Sequence, residues 1–122
     1  MSNKKKKILI LTNHSYMLYR FRKELIEELM KNNEVILSMP FVGHHEDFMN
    51  MGLHCIETKM ERRGINPFTD LSLINFYKKM LKEEKPDLVI TYSIKPNIYG
   101  GLMCSKLKIP FYANVQGLGT AF

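Results

Sequence analysis

Long apolar runs are missing from this chain, cysteine is scarce, and the loop after its first strand-like segment contains no glycine. No stretch approaches the roughly 20 apolar residues of a membrane span, and Lys4 to Lys7 abut only a short apolar segment without a small-residue cleavage site. Neither a spanning helix nor a secretory signal is expected, and the sequence reads as cytoplasmic. The two cysteines, Cys55 and Cys104, stand far apart inside apolar segments, which fits reduced, buried thiols better than a disulfide framework or a metal site. The glycine-free segment Thr12-Asn13-His14-Ser15-Tyr16-Met17-Leu18 cannot bring its backbone close to a pyrophosphate as a G-x-G-x-x-G turn does. Dinucleotide binding is disfavoured.

With 122 residues, 45% hydrophobic and 25% charged, the chain has the composition of one globular domain. The formal charge is +6, and four lysines are packed at the N-terminus. Near an anionic bilayer each lysine gains about 1 kcal/mol, so Lys4, Lys5, Lys6 and Lys7 suit either weak, salt-sensitive membrane contact or a solvated terminus. Nucleic acid is a weaker partner, because the aromatics fall at core spacing and do not interleave with the basic residues. The nine methionines read as packing.

Strand and helix patterns alternate from end to end. Strands are predicted at Ile8 to Thr12, Glu34 to Met39, His54 to Thr58, Leu88 to Tyr92 and Phe111 to Val115. The first helix shows an apolar face of Leu18, Phe21, Leu25, Ile26 and Leu29, with Asn32 and Asn33 as its stop. A short helix is expected over Glu46 to Met51, ended by Gly52, and a long one over Leu71 to Glu84, capped by Thr69 or Asp70 and ended by Pro86. A fourth runs from about Asn97 to Leu107. Strict alternation with right-handed crossovers predicts a Rossmann-like open parallel sheet of about five strands, order 3-2-1-4-5, with helices on both faces. Ligands bind such sheets in the crevice between strands one and four, at the carboxyl edge. The loops there are Asn13 to Leu18, Pro40 to His45, Lys59 to Asn66, Ser93 to Asn97 and Gln116 to Phe122.

Those loops and their flanks hold the chemical candidates. Arg20 and Arg22 fall in the first turns of helix one, where the dipole disfavours cations, so they are either site residues or surface residues with snorkelling stems. Lys95 precedes a Pro that opens a helix, a combination suited to an anionic group; otherwise it is a rim lysine beside an ordinary Pro start. Gly100 and Gly101 each cost a helix about 1 kcal/mol relative to Ala, which close packing against the sheet would offset. Gly117 and Gly119 offer backbone N–H groups in a second loop. His44 and His45 adjoin Glu46 and Asp47, but consecutive residues cannot converge on one ion, and no metal is expected. His14, on the crevice loop, is the candidate acid, base or hydrogen-bond donor.

Several segments taken together carry a resemblance. They are Asn13, Phe21-Arg22, Arg63-Gly64-Ile65-Asn66-Pro67 with Asp70, Lys85-Pro86-Asp87, Ile94-Lys95-Pro96-Asn97-Ile98-Tyr99-Gly100, and Asn114-Val115-Gln116-Gly117-Leu118-Gly119-Thr120-Ala121-Phe122. In these the chain resembles the N-terminal domain of family 4 glycosyltransferases. The nearest branch is the bacterial enzymes that add galactose-type or N-acetylhexosamine sugars to undecaprenyl-diphosphate-linked saccharides. The resemblance implies one half of a GT-B architecture, in which two Rossmann-like domains face each other across a cleft. It also implies sugar transfer from a nucleotide donor, a UDP-sugar, with retention and without an obligatory metal or other cofactor.

On that resemblance Asn13, His14, Arg22, Arg63, Asn66, Lys95 and Asn97 line the acceptor side, while the Gly117 to Gly119 loop approaches the donor phosphates. Residues 1–122 then form a truncated acceptor-side domain without the C-terminal donor domain, inactive alone and with apolar surface that invites self-association. The chain departs from the family where Asn32-Asn33-Glu34-Val35 replaces the usual Gly-His-Glu-Val before strand two. Alternatives are a stand-alone flavodoxin-like domain binding a small anion or nucleotide, and part of a nucleotide-sugar epimerase.

Overall fold

A computed structural model describes residues 6–13, 15–41, 45–58 and 67–114. Five strands form one parallel sheet in the order β3-β2-β1-β4-β5. They are β1 Lys6–Leu11, β2 Asn33–Met39, β3 His54–Glu57, β4 Leu88–Tyr92 and β5 Phe111–Asn114. The helices are α1 Ser15–Asn32, α2 His45–Asn50, α3 Pro67–Glu84 and α4 Gly101–Leu107, the last preceded by a π turn over Pro96–Gly100.

The period-2 alternation of β1 sorts its side chains between two cores. Ile8 and Ile10 join Leu18, Ile26, Val35, Leu37, Met39 and Phe48 on the α1 and α2 face. Leu9 and Leu11 join Ile36, Leu73, Tyr77, Leu81, Val89 and Met103 on the α3 and α4 face. A strand buried on both faces needs a continuous apolar run, and Ile8 to Leu11 supplies it. On α1, Leu18 and Ile26 are buried as the periodicity requires, but Leu25 is exposed.

Element boundaries depart from the sequence pattern where local chemistry intervenes. Asn33 opens β2 directly, and its side-chain amide donates to the Leu29 carbonyl at 3.0 Å, satisfying one of the acceptors left at the end of α1. Helix α1 starts at Ser15, so Ser15 to Leu18 belong to the helix and not to the first carboxyl-edge loop, and Leu18 lies in the core. Helix α3 starts at Pro67 and not at Leu71, because proline's fixed φ and missing N–H suit a first helical position. Thr69 and Asp70 therefore lie inside the helix and not ahead of it. At the amino edge Lys7 is no loose member of a lysine cluster: its ammonium reaches the Glu84 carbonyl at 3.0 Å and the Glu84 carboxylate at 3.4 Å, closing the end of α3.

Candidate functional site

Strands β1 and β4 end side by side, Leu11 paired with Thr91, and the chains leaving them form the centre of the carboxyl edge. The Thr12 and Ser93 hydroxyls approach to 3.5 Å across that junction. Ser93 has φ +80, a left-handed conformation that a non-glycine residue adopts at a cost of order 1–3 kcal/mol. The turn is needed because the chain must leave β4 and enter a helix within two residues. Beside it, the Asn13 side-chain oxygen is buried without a hydrogen-bond partner.

Adjacent residues of β4 send their side chains to opposite faces, and each holds one of the sequence candidates. Tyr92 points toward α1, where Arg22 donates to its hydroxyl. Burial pushes the Tyr92 phenol up and Arg22 opposes that shift. Thr91 points the other way and donates to the Asn97 side-chain oxygen at 2.6 Å, while the Asn97 amide donates to the Asn114 carbonyl at 2.8 Å. Asn97 thereby ties the π turn to β4 and to the end of β5.

The sequence offers Lys95 either for an anionic ligand group or as a rim lysine, whereas in the structure its ammonium is taken by a carboxylate of the chain itself, Asp70. The Lys95 ammonium lies 2.8 Å from one Asp70 oxygen, with the two side chains 13% and 8% exposed. The Tyr99 hydroxyl donates to the other oxygen at 3.0 Å. The bond from Lys95, aided by Tyr99, holds the Asp70 carboxyl below its ordinary value against the opposing effect of burial. The bond to Asp70, with burial, pushes the Tyr99 phenol up. The pair joins the first turns of α3 to the helix that follows β4. Sequence reasoning missed this cluster, although one signal was present. Asp70 continues the α3 core series Leu73, Tyr77 and Leu81, and a carboxylate on a buried face needs a cationic partner.

Gly100 lies where an added Cβ would meet Leu11 Cδ1 at 2.7 Å, and at Gly101 it would meet the Phe111 ring at 2.9 Å. Close packing against the sheet accounts for both. Among the described residues no three His, Cys, Asp or Glu side chains gather to hold a metal, and His45 stacks on Phe41 with ring centroids 4.9 Å apart. Cys104 is buried and Cys55 half-buried, both free, and burial raises both thiols to about 11. Of the sequence-assigned site residues, the structure gathers Asn13, Arg22, Lys95 and Asn97 around the ends of β1 and β4. His14, Arg63, Asn66, Gly117 and Gly119 lie outside the described residues.

Comparisons with known proteins bear on the family and the fold. The glycosyl transferase 4-like family model matches residues 7–122. A Campylobacter jejuni N,N'-diacetylbacillosaminyl-diphospho-undecaprenol alpha-1,3-N-acetylgalactosaminyltransferase is 29% identical over 118 residues, covering 95% of this chain and 31% of that relative. The chain thus spans under a third of the relative's length. A glycosyltransferase from Rickettsia africae superposes with a TM-score of 0.71 at 19% identity, over 90% of this chain and 29% of that one. UDP-GlcNAc 2-epimerase from Methanocaldococcus jannaschii gives 0.63 at 21%, over 88% and 30%. These structures share the fold, and the family match is specific: the chain belongs to the glycosyl transferase 4-like family.

Proposed function

We propose that this chain is the acceptor-side domain of a retaining glycosyltransferase that moves a sugar from a nucleotide-sugar donor to a lipid-linked saccharide in surface-polysaccharide or glycan assembly. The observation that carries the reading is the family match along residues 7–122, joined to a relative named for an undecaprenol-linked acceptor. The amide of Asn13 and the hydroxyls of Thr12 and Ser93 are of the kind that bonds sugar hydroxyls. Arg22 brings positive charge to this edge, suited to a diphosphate, while the Lys95 ammonium, bonded to Asp70, would reach such a group only by giving up that partner. His14, Arg63, Asn66 and the Gly117 and Gly119 loop complete the assignment, and the donor-binding carboxylates belong to sequence outside these 122 residues. Among the described residues no helix is long and apolar enough to cross a membrane.

Titrating the chain with a short-prenyl diphosphate disaccharide while following amide resonances tests this. Shifts should concentrate at residues 12–13, 22 and 93–97 and leave the amino edge around Glu84 and Asp87 unmoved. Saturable binding confined to a free nucleotide, with no response to the saccharide, would instead support a small-anion or nucleotide binding domain.

A further inference from the structure

A cavity of about 350 Å³ opens at the amino edge, the opposite end of the sheet from the candidate site. Leu81, Lys82, Lys85 and Pro86 line it from the end of α3 and the turn into β4, and Leu107 and Ile109 line it from the end of α4. Leu81 belongs to the core under α3 and α4, and Leu107 and Ile109 pack against that core. The apolar floor is therefore the outer end of a packed layer. Its volume lies near the lower end of the roughly 300–1,000 Å³ typical of ligand pockets, room for one or two side chains and not for a large cofactor.

Lysines are expected where helices end, because their ammonium groups answer the free carbonyls there. Here several of those carbonyls are already bonded. Lys85 and Lys108 both turn into the left-handed region, φ +49 and +60, and their main-chain N–H groups donate to the Leu81 and Ser105 carbonyls at 3.0 and 3.3 Å. The Ile109 N–H donates to the Cys104 carbonyl at 2.8 Å, and the Lys7 ammonium donates to that of Glu84 at 3.0 Å. The exposed side chains of Lys82, Lys85 and Lys108 have no ion-pair partner among the described residues. Three acids lie near them in sequence. Glu84 and Asp87 are bonded to Lys7, and Glu83 stands about 200° around α3 from Leu81 and outside the lining.

We propose that this cavity takes an acidic peptide segment of a partner protein, with an apolar side chain seated on Leu81, Pro86, Leu107 and Ile109 and carboxylates on either side of it. The placement of charge selects that occupant. Lys82 and Lys85 come from the α3 side, and Lys108, between the lining residues Leu107 and Ile109, comes from the α4 side. An amphiphile with a single anionic head answers one flank, whereas a peptide with acids before and after its apolar anchor answers both. A second copy of this chain, at a formal charge of +6, is repelled. The site stands apart from the acceptor reading and does not depend on it.

A blocked hexapeptide, Glu-Glu-Leu-Phe-Glu-Glu, titrated while amide resonances are followed, should give saturable shifts confined to residues 81–86 and 106–110. The same peptide with lysines in place of its glutamates should give none. Lys82→Gln combined with Lys85→Asn should weaken binding about fivefold or more. Its melting curve should be unchanged, because both side chains are exposed and asparagine tolerates the left-handed backbone at position 85. Raising the ionic strength from about 0.01 M to about 0.15 M should weaken binding to the native chain as well, since the Debye length falls from about 30 Å to about 8 Å. Equal shifts with both peptides, or binding indifferent to substitution and salt, would show that charge is not read and would overturn the proposal. Shifts at the carboxyl edge in place of these would do the same. So would saturation of the same amides by octyl phosphate at a lower concentration than the peptide, which would give the cavity to a small amphiphile. None of these outcomes bears on the saccharide titration, whose shifts are expected at the other edge.

Discussion

The two faces of the sheet are packed by different means. Under α1 and α2 the core is made of Ile8, Ile10, Val35, Leu37, Met39 and Phe48, apolar throughout until Tyr92 at its carboxyl end. Under α3 and α4 the apolar side chains are interrupted by the Ser38–Thr58 hydroxyl pair, the Thr91–Asn97 bond, the Tyr77 hydroxyl and two glycines. Apolar burial supplies stability without direction, whereas hydrogen bonds and close backbone approach set where a helix begins. The mixed face carries the helices entered from β3 and β4, whose first turns meet at the candidate site. Positional accuracy is thus concentrated where Lys95 and Asn97 must be held.

Substitutions that treat the two faces differently test that contrast. Phe48→Ala, at a fully buried position on the apolar face, should cost about 3–5 kcal/mol in urea unfolding while leaving the Lys95 and Asn97 resonances near their native positions. Asn97→Ala should cost less, about 1–3 kcal/mol, because it strands the buried Thr91 hydroxyl and the Asn114 carbonyl. Unlike Phe48→Ala, it should shift amides at the end of β5; equal spectral effects from both variants would break the contrast.

Gly100→Ala gains about 1 kcal/mol of helix propensity but overpacks the fully buried Leu11, leaving a net loss of about 1 kcal/mol. Gly101→Ala should be close to neutral, since the Phe111 ring it meets is 39% exposed on an edge strand and can swing aside. Tyr77→Phe should be neutral or stabilise by up to about 1 kcal/mol, because it removes a fully buried hydroxyl that has no partner. A marked loss would reveal a partner for that hydroxyl.

Asp70 adds a pH test. Its folded-state pKa lies below the ordinary carboxyl value, so its stabilisation is present at neutral pH and is lost as pH falls toward the folded value. Asp70→Asn should flatten the acid limb of the Tm-against-pH curve between about pH 5 and pH 2. An unchanged limb would show that the Lys95 bond does not hold this carboxylate in its charged form.

Strand order and most element boundaries were legible in the sequence because they follow from periodicity and from proline and glycine placement. Leu88 to Tyr92 is β4 residue for residue, and Leu73, Tyr77, Met80 and Leu81 face inward as their spacing requires. The site was less legible because its bonds are non-local. Lys95 and Asp70 are 25 residues apart, and Tyr99 and Asp70 are 29 apart, so no window of local pattern contains both partners. Asp70 consequently read as a helix cap. The left-handed Ser93 carries no composition signal either, since its conformation is imposed by what flanks it.

The central position of β1 has a consequence for the order in which the molecule can assemble. One edge of β1 is covered by β2 soon after α1 forms, but the other waits for β4. There the Lys7 main chain exchanges two 2.8 Å bonds with Asp87, 80 residues later. At ribosomal rates of about 5–20 residues per second that interval lasts several seconds. Throughout it, the strand Ile8 to Leu11 has one unpaired edge available to other chains. Refolding should accordingly be governed by closure of the β1–β4 junction, the same seam at which Thr12 and Ser93 meet.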